Sequence, residues 1–124
     1  MRFSVAEMVP NEPGKFYMRA FDPKTGKRMW QYPMTGKGDM WAGTVSTATG
    51  VLFFGDDDGH LVALDAKSGR HLWHFNTGQL LTASPITYEV GGKQYVTIAT
   101  ATDIMTFGLF EPMQSVPLVK ERVE

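Results

Sequence analysis

The chain has 124 residues, 43% of them apolar, with 12 basic against 13 acidic side chains and a net charge of −1, the make-up of a single globular domain. Near-neutral charge excludes the electrostatic footprint of a nucleic-acid binder, and the longest purely aliphatic or aromatic run, Val51 to Phe54, is far short of the roughly 20 residues of a membrane-spanning helix. With no cysteine there are no disulfides, thiolate nucleophiles or cysteine metal sites, and Met1 to Pro10 lacks the apolar centre of an export signal.

Thirteen glycines and seven prolines, with almost no apolar period near 3.6 residues, argue against helices. The fold class is all-β. In chain order, strands are expected over Lys15 to Phe21, Arg28 to Tyr32, Thr44 to Ala48, Val51 to Gly55, His60 to Leu64, His71 to Phe75, Ala83 to Val90, Gln94 to Ala101 and Ile104 to Phe110. Each is a short run of β-branched and aromatic residues between turn signals, the pattern of an antiparallel meander.

An internal repeat organises these runs. Ala20-Phe21-Asp22-Pro23-Lys24-Thr25-Gly26-Lys27-Arg28-Met29-Trp30 returns 43 residues later as Ala63-Leu64-Asp65-Ala66-Lys67-Ser68-Gly69-Arg70-His71-Leu72-Trp73. That period suits a four-stranded propeller blade; a HEAT array of similar period would need helices. In each copy the Asp side chain is expected to bind backbone N–H groups just ahead, and the glycine to supply the left-handed turn conformation. The returning strand then carries a large indole (Trp30, Trp73) opposite a small residue (Ala20, Ala63), a complementarity that lets adjacent sheets approach. Both tryptophans are read as buried packing residues, whose truncation to Ala would cost roughly 3–5 kcal/mol.

A third unit is altered. Ala83-Ser84-Pro85-Ile86-Thr87, a Gly91-Gly92 hairpin and Gln94 to Ala101 parallel Thr44 to Gly55, but Phe107 and Leu109 stand where the next Ala-x-Asp would fall, and no Trp follows. The segment reads as the end of an array. Residues 15–110 are assigned to blades, 1–14 to a partial strand or linker and 111–124 to a tail. With a 43-residue period this is about two to three blades, fewer than the roughly four a closed ring needs.

The repeated A-x-D-x-x-[ST]-G-x-x-x-W resembles the tryptophan-docking motif of quinoprotein propellers. Met40-Trp41-Ala42-Gly43-Thr44, Ser46 to Gly55 and Asp58-Gly59-His60-Leu61-Val62-Ala63-Leu64-Asp65 are similar to the last blades of pyrroloquinoline quinone (PQQ)-dependent alcohol dehydrogenases. Thr87-Tyr88-Glu89-Val90-Gly91-Gly92-Lys93-Gln94-Tyr95-Val96 resembles their final hairpin. The resemblance runs from about Lys15 to Phe110. It implies an eight-bladed propeller in full-length relatives, with PQQ and calcium near the axis, oxidising alcohols or sugars in the periplasm. Their carboxylate base, calcium ligands and cysteine pair lie in earlier blades, and nothing here matches them. By position Trp41, ahead of Ala42-Gly43, matches a residue that lines the quinone. A second contact in many members is a Trp in a glycine-rich stretch; here that stretch is Ala99 to Met105, with neither glycine nor Trp.

Among the candidate side chains, Trp41 lies outside the repeat and precedes small and hydroxylated residues (Thr44, Ser46, Thr47, Ala48), and with the resemblance it is read as the cofactor-binding residue, expected to stack as a flat aromatic, with inter-blade packing as the alternative. Asp56-Asp57-Asp58-Gly59 reads as a solvated hairpin turn rather than a cation site. His71 and His74, three apart on a strand, are expected on opposite faces and so unable to share a metal, and His60 is distant in sequence. Ser46, Ser68 and Ser84 lack a nucleophile-elbow context, and Met34, Met40 and Met105 are read as gap fillers. No catalytic and no metal residue is assigned.

Two functions follow. The first is the C-terminal part of a PQQ-dependent dehydrogenase, contributing one wall of the cofactor site and the closing blade and inactive alone, its hydride chemistry belonging to the cofactor. The second is a non-catalytic propeller module that acts as a binding scaffold. Alone, the chain is expected to bind no PQQ or only weakly, and to self-associate through open sheet edges or to join further blades.

Overall fold

Nine strands form among residues 15–36 and 42–109, the parts of the chain that the computed structural model describes. They are β1 (Tyr17–Phe21), β2 (Arg28–Pro33), β3 (Thr44–Ser46), β4 (Val51–Gly55), β5 (His60–Asp65), β6 (His71–Asn76), β7 (Ile86–Val90), β8 (Lys93–Ala99) and β9 (Ile104–Gly108). Neighbours in sequence pair antiparallel, giving the sheets β1-β2, β3-β4-β5-β6 and β7-β8-β9. The central sheet is one complete four-stranded unit.

Strand ends follow local chemistry. β7 starts at Ile86, later than Ala83, because Pro85 has no N–H to give a ladder. β8 stops at Ala99, where the amide of Thr100 turns to the carbonyl of Asp103 at 2.8 Å. Between β7 and β8, Gly91 (φ 59°) and Gly92 (φ 76°) form a two-residue loop, whose consecutive positive φ values match the twist of a hairpin.

The two copies of the repeat fold alike. The Asp22 amide donates to Lys27 O at 2.9 Å and the Gly26 amide to Asp22 O at 2.8 Å; the Asp65 amide donates to Arg70 O and the Gly69 amide to Asp65 O, both at 2.8 Å. The Asp22 carboxylate accepts from the Lys24 amide, and that of Asp65 from the Lys67 and Ser68 amides. In both copies the returning strand bulges by one residue: Ala20 pairs Trp30 but Phe21 pairs Arg28, and Ala63 pairs Trp73 but Leu64 pairs His71. Met29 and Leu72 are the extra residues, and each ladder bends there.

Sheets stack face to face around the central one. Phe54, Val62 and Leu64 are buried with Met18, Trp30 and Tyr32 of the first sheet, while Leu61 is buried with Val96 and Ile98 of the third and with Leu81. Covered on both faces, β5 needs a continuous apolar run, Leu61-Val62-Ala63-Leu64, all four buried. An alternating strand would leave one side polar.

Candidate functional site

The entrances to β3 and β7, the first strands of the second and third sheets, lie against one another. The Gly43 amide donates to the Ser84 hydroxyl at 2.8 Å, and a Cβ on Gly43 would stand 2.5 Å from that oxygen. Gly43 is thus the small residue that lets the two entrances meet. Trp41, the expected quinone contact, lies outside the described residues, as does Met40. Beyond Gly43, Thr44 and Ser46 are exposed on β3.

Trp30 and Trp73 hold the same place in the repeat and end in different surroundings. The Trp30 indole N–H donates to Ala66 O at 3.0 Å, and its ring fits against Gly69, where a Cβ would come within 2.6 Å of it. It therefore bridges from the first sheet to the turn of the second. Trp73 departs from the expected burial, being 38% exposed. Its partners are Phe75 and Phe107, at centroid distances of 6.3 and 5.4 Å. Where Trp30 meets a Gly turn, Trp73 borders an apolar cleft of about 560 Å³ between the second and third sheets, lined also by Phe53, Ala63, Val96 and Phe107.

The acidic turn also departs from expectation. The hairpin is there, with the Asp56 amide donating to His60 O at 2.7 Å and the Gly59 amide to Asp56 O at 3.0 Å, but Asp56 is 2% exposed rather than solvated. Its carboxylate accepts from the amide and hydroxyl of Thr35, both at 3.0 Å, and from the Asp58 amide at 3.3 Å. Thr35 follows β2, so the carboxylate ties the first sheet to the second. Burial pushes the Asp56 carboxyl up, yet the Thr35 amide, the contact with Asp57, the Thr35 hydroxyl and the Asp58 amide together hold it below the ordinary carboxylate value. Burial, with the Asp56 charge second, raises the Tyr32 phenol.

Ala99 to Met105 is a polar staple. The Gln79 side chain accepts from the Thr100 and Thr102 hydroxyls and from the Thr102 amide, and donates to the Asp103 carboxylate at 2.6 Å. Gln79 first, and the Thr102 hydroxyl second, lower the Asp103 carboxyl. Ser68 Oγ donates to Asp65 at 2.7 Å within its turn, and Ser84 Oγ is taken by the Gly43 amide across the two sheet entrances.

The bulge at Leu72 overturns the expected separation of the histidines. His74 Nδ1 and His71 Nε2 are 3.1 Å apart, with ring centroids at 5.1 Å. One inserted residue shifts the side-chain alternation, so residues i and i+3 meet on one face. The first copy does the same, with Arg28 Nη1 donating to Gln31 Oε1 at 2.8 Å. His60 joins the pair at 5.6 Å from the His74 ring. Arg28 and Gln31 hold the same repeat positions as His71 and His74, but a bulge leaves no trace in a period of two. Among the described residues, no three His, Asp or Glu side chains are grouped to hold a metal ion.

Consecutive antiparallel sheets of two, four and three described strands, packed face to face with a 43-residue repeat, define part of a β-propeller. Residues 34–96 match the family model of the glucose/ethanol/alcohol dehydrogenase β-propeller domain. The chain belongs to this PQQ-dependent dehydrogenase propeller family. It is 40% identical over 96 residues to the quinoprotein ethanol dehydrogenase of Pseudomonas aeruginosa, covering 77% of this chain and 15% of that protein. It is 42% identical over 81 residues to the 1-butanol dehydrogenase (quinone) of Thauera butanivorans, 65% of this chain and 12% of the relative. The crystal structure of quinohemoprotein alcohol dehydrogenase from Comamonas testosteroni aligns with a TM-score of 0.66 at 37% identity, over 73% of this chain and 13% of that one. The chain thus spans about a seventh of the length of such relatives.

The described residues alone do not complete a site for PQQ with its metal ion. The Gly43–Ser84 contact joins two small residues, and no three His, Asp or Glu side chains among the described residues are grouped there to hold a metal ion.

Proposed function

We propose that this chain forms blades from the C-terminal part of a PQQ-dependent alcohol or sugar dehydrogenase, contributing one wall of the cofactor site and the closing blade. The observation that supports this most is the junction of Gly43 and Ser84 directly after Trp41, in the stretch that matches the family model. In this reading Trp41 stacks on the quinone, Trp30 serves as the docking tryptophan of the family's repeat, and calcium and the base come from other blades. Periplasmic location follows from the same kinship. The chain alone is expected to oxidise no alcohol, since nothing in its sequence matches the family's base or calcium ligands. Exposed apolar side chains, with Ile86 58%, Ile104 76% and Leu109 92% exposed, favour association with further blades or with copies of itself. A stable monomer by light scattering at high concentration would contradict that association.

The functional test is a hybrid in which residues 15–109 replace the matched stretch of the P. aeruginosa quinoprotein ethanol dehydrogenase. The hybrid is expected to reduce dye with ethanol when given PQQ and calcium, while the chain alone does not. A folded hybrid that binds no PQQ would instead support a non-catalytic scaffold.

A further inference from the structure

We propose that His71 and His74 form a two-imidazole site for a divalent transition metal, Cu(II) above Ni(II) and Zn(II), at the boundary of the first and second sheets. His71 Nε2 and His74 Nδ1 stand 3.1 Å apart. With metal–nitrogen bonds of roughly 2.0–2.1 Å, that separation subtends an angle of roughly 95–102° at the ion, between the square or octahedral right angle and the tetrahedral value.

The nitrogens face one another because the Leu72 bulge puts both rings on one side of β6. Bonded to each other, they share one proton. When a cation enters, the donor ring holds its proton on its other nitrogen, His71 Nδ1 or His74 Nε2, so both lone pairs reach the metal without loss of a proton. Both rings are exposed; Tyr32 stacks on His71 at 6.2 Å and 15° and holds that ring's plane from the first sheet, so the small rotation this needs falls to His74. His60 lies behind the pair, its Nδ1 without a hydrogen-bond partner and 4.0 Å from the Asp58 carboxylate. Water completes the coordination. Imidazole nitrogen selects copper, nickel and zinc over calcium, which needs oxygen ligands, and affinity is highest for copper.

The probe is copper sulfate added to the full chain, followed by calorimetry and by electron paramagnetic resonance. The chain has three histidines and no cysteine, so the nitrogen couplings report these rings. One Cu(II) per chain with two equatorial nitrogens is expected. His71→Gln or His74→Gln should leave a one-nitrogen spectrum and weaken binding by at least the roughly 10–100-fold that even an outer-shell partner costs, with the far-UV circular dichroism of the wild type retained. Calcium chloride should give no heat at this site. A gain-of-site variant tests the bulge itself: Arg28→His with Gln31→His places two imidazoles at the equivalent bulge and should bind a second copper. Binding that survives His71→Gln and His74→Gln unchanged, or a wild-type spectrum without nitrogen coupling, would overturn the proposal.

Discussion

The Trp30 indole N–H reaches across from β2 to the carbonyl of Ala66, 36 positions on, at 3.0 Å, and its ring rests on the turn that Gly69 closes. A side chain of one sheet thereby reads the turn geometry of the next, and sequence repeat becomes sheet stacking.

Loss of that bridge should destabilise more than loss of its repeat partner. Trp30→Ala is expected to cost about 3 kcal/mol, at the lower end for a buried indole because the ring is only partly covered, and half-exposed Trp73→Ala distinctly less. Trp30→Phe should lose about 1 kcal/mol for the hydrogen bond alone. Urea unfolding followed by circular dichroism orders the three; equal losses at Trp30 and Trp73 would contradict the asymmetry.

The two repeat glycines separate conformational cost from contact cost. Gly26 (φ 68°) has nothing within 4 Å of a would-be Cβ, whereas at Gly69 (φ 71°) that atom would meet the Trp30 ring. Gly26→Ala should cost about 1 kcal/mol, the left-handed penalty. Gly69→Ala should cost that plus displacement of the indole. Thermal melts of the two single variants, and of Gly69→Ala combined with Trp30→Phe, would show the second term as a coupling; additive losses would refute it.

Asp56 should make stability pH-dependent at the acid end. Its carboxyl is held below the ordinary value, so its contribution is fully present above the unfolded carboxylate value of about 3.9 and is lost as pH falls through the lower folded value. Denaturation midpoints should therefore drop below about pH 4. Asp56→Asn should lower stability at pH 7 by about 1–3 kcal/mol, through loss of a buried charged acceptor for Thr35, and flatten the acid slope. Part of that slope should persist, since Asp65, held down first by the Ser68 hydroxyl, and Asp103, held down first by Gln79, titrate in the same direction. An unchanged slope in Asp56→Asn would remove Asp56 from the account.

All nine strands, and both turns of the repeat, were legible as sequence, because alternation, Gly and Asp placement and the 43-residue period all state the same local preference. What escaped depends on neighbours. Asp56 has the local grammar of a wet hairpin, yet it is buried and bonded to Thr35, which follows β2 of another sheet. His71 and His74 alternate on paper and meet in space because one residue slips out of the ladder at Leu72. Trp73 carries the same motif as Trp30 but faces Phe107, where Trp30 faces Gly69. The contact of Gly43 with Ser84, 41 positions apart, is likewise a product of stacking that no local pattern writes.

The central claim is that the edge following Trp41 is a wall of a quinone site. The most direct measurement is PQQ titration of the hybrid dehydrogenase in calcium, followed by tryptophan fluorescence, with Trp41 and with Trp41→Ala. Stacking plus buried ring area makes a loss of roughly tenfold or more in PQQ affinity the expected result. Equal affinity in two equally folded hybrids would contradict it.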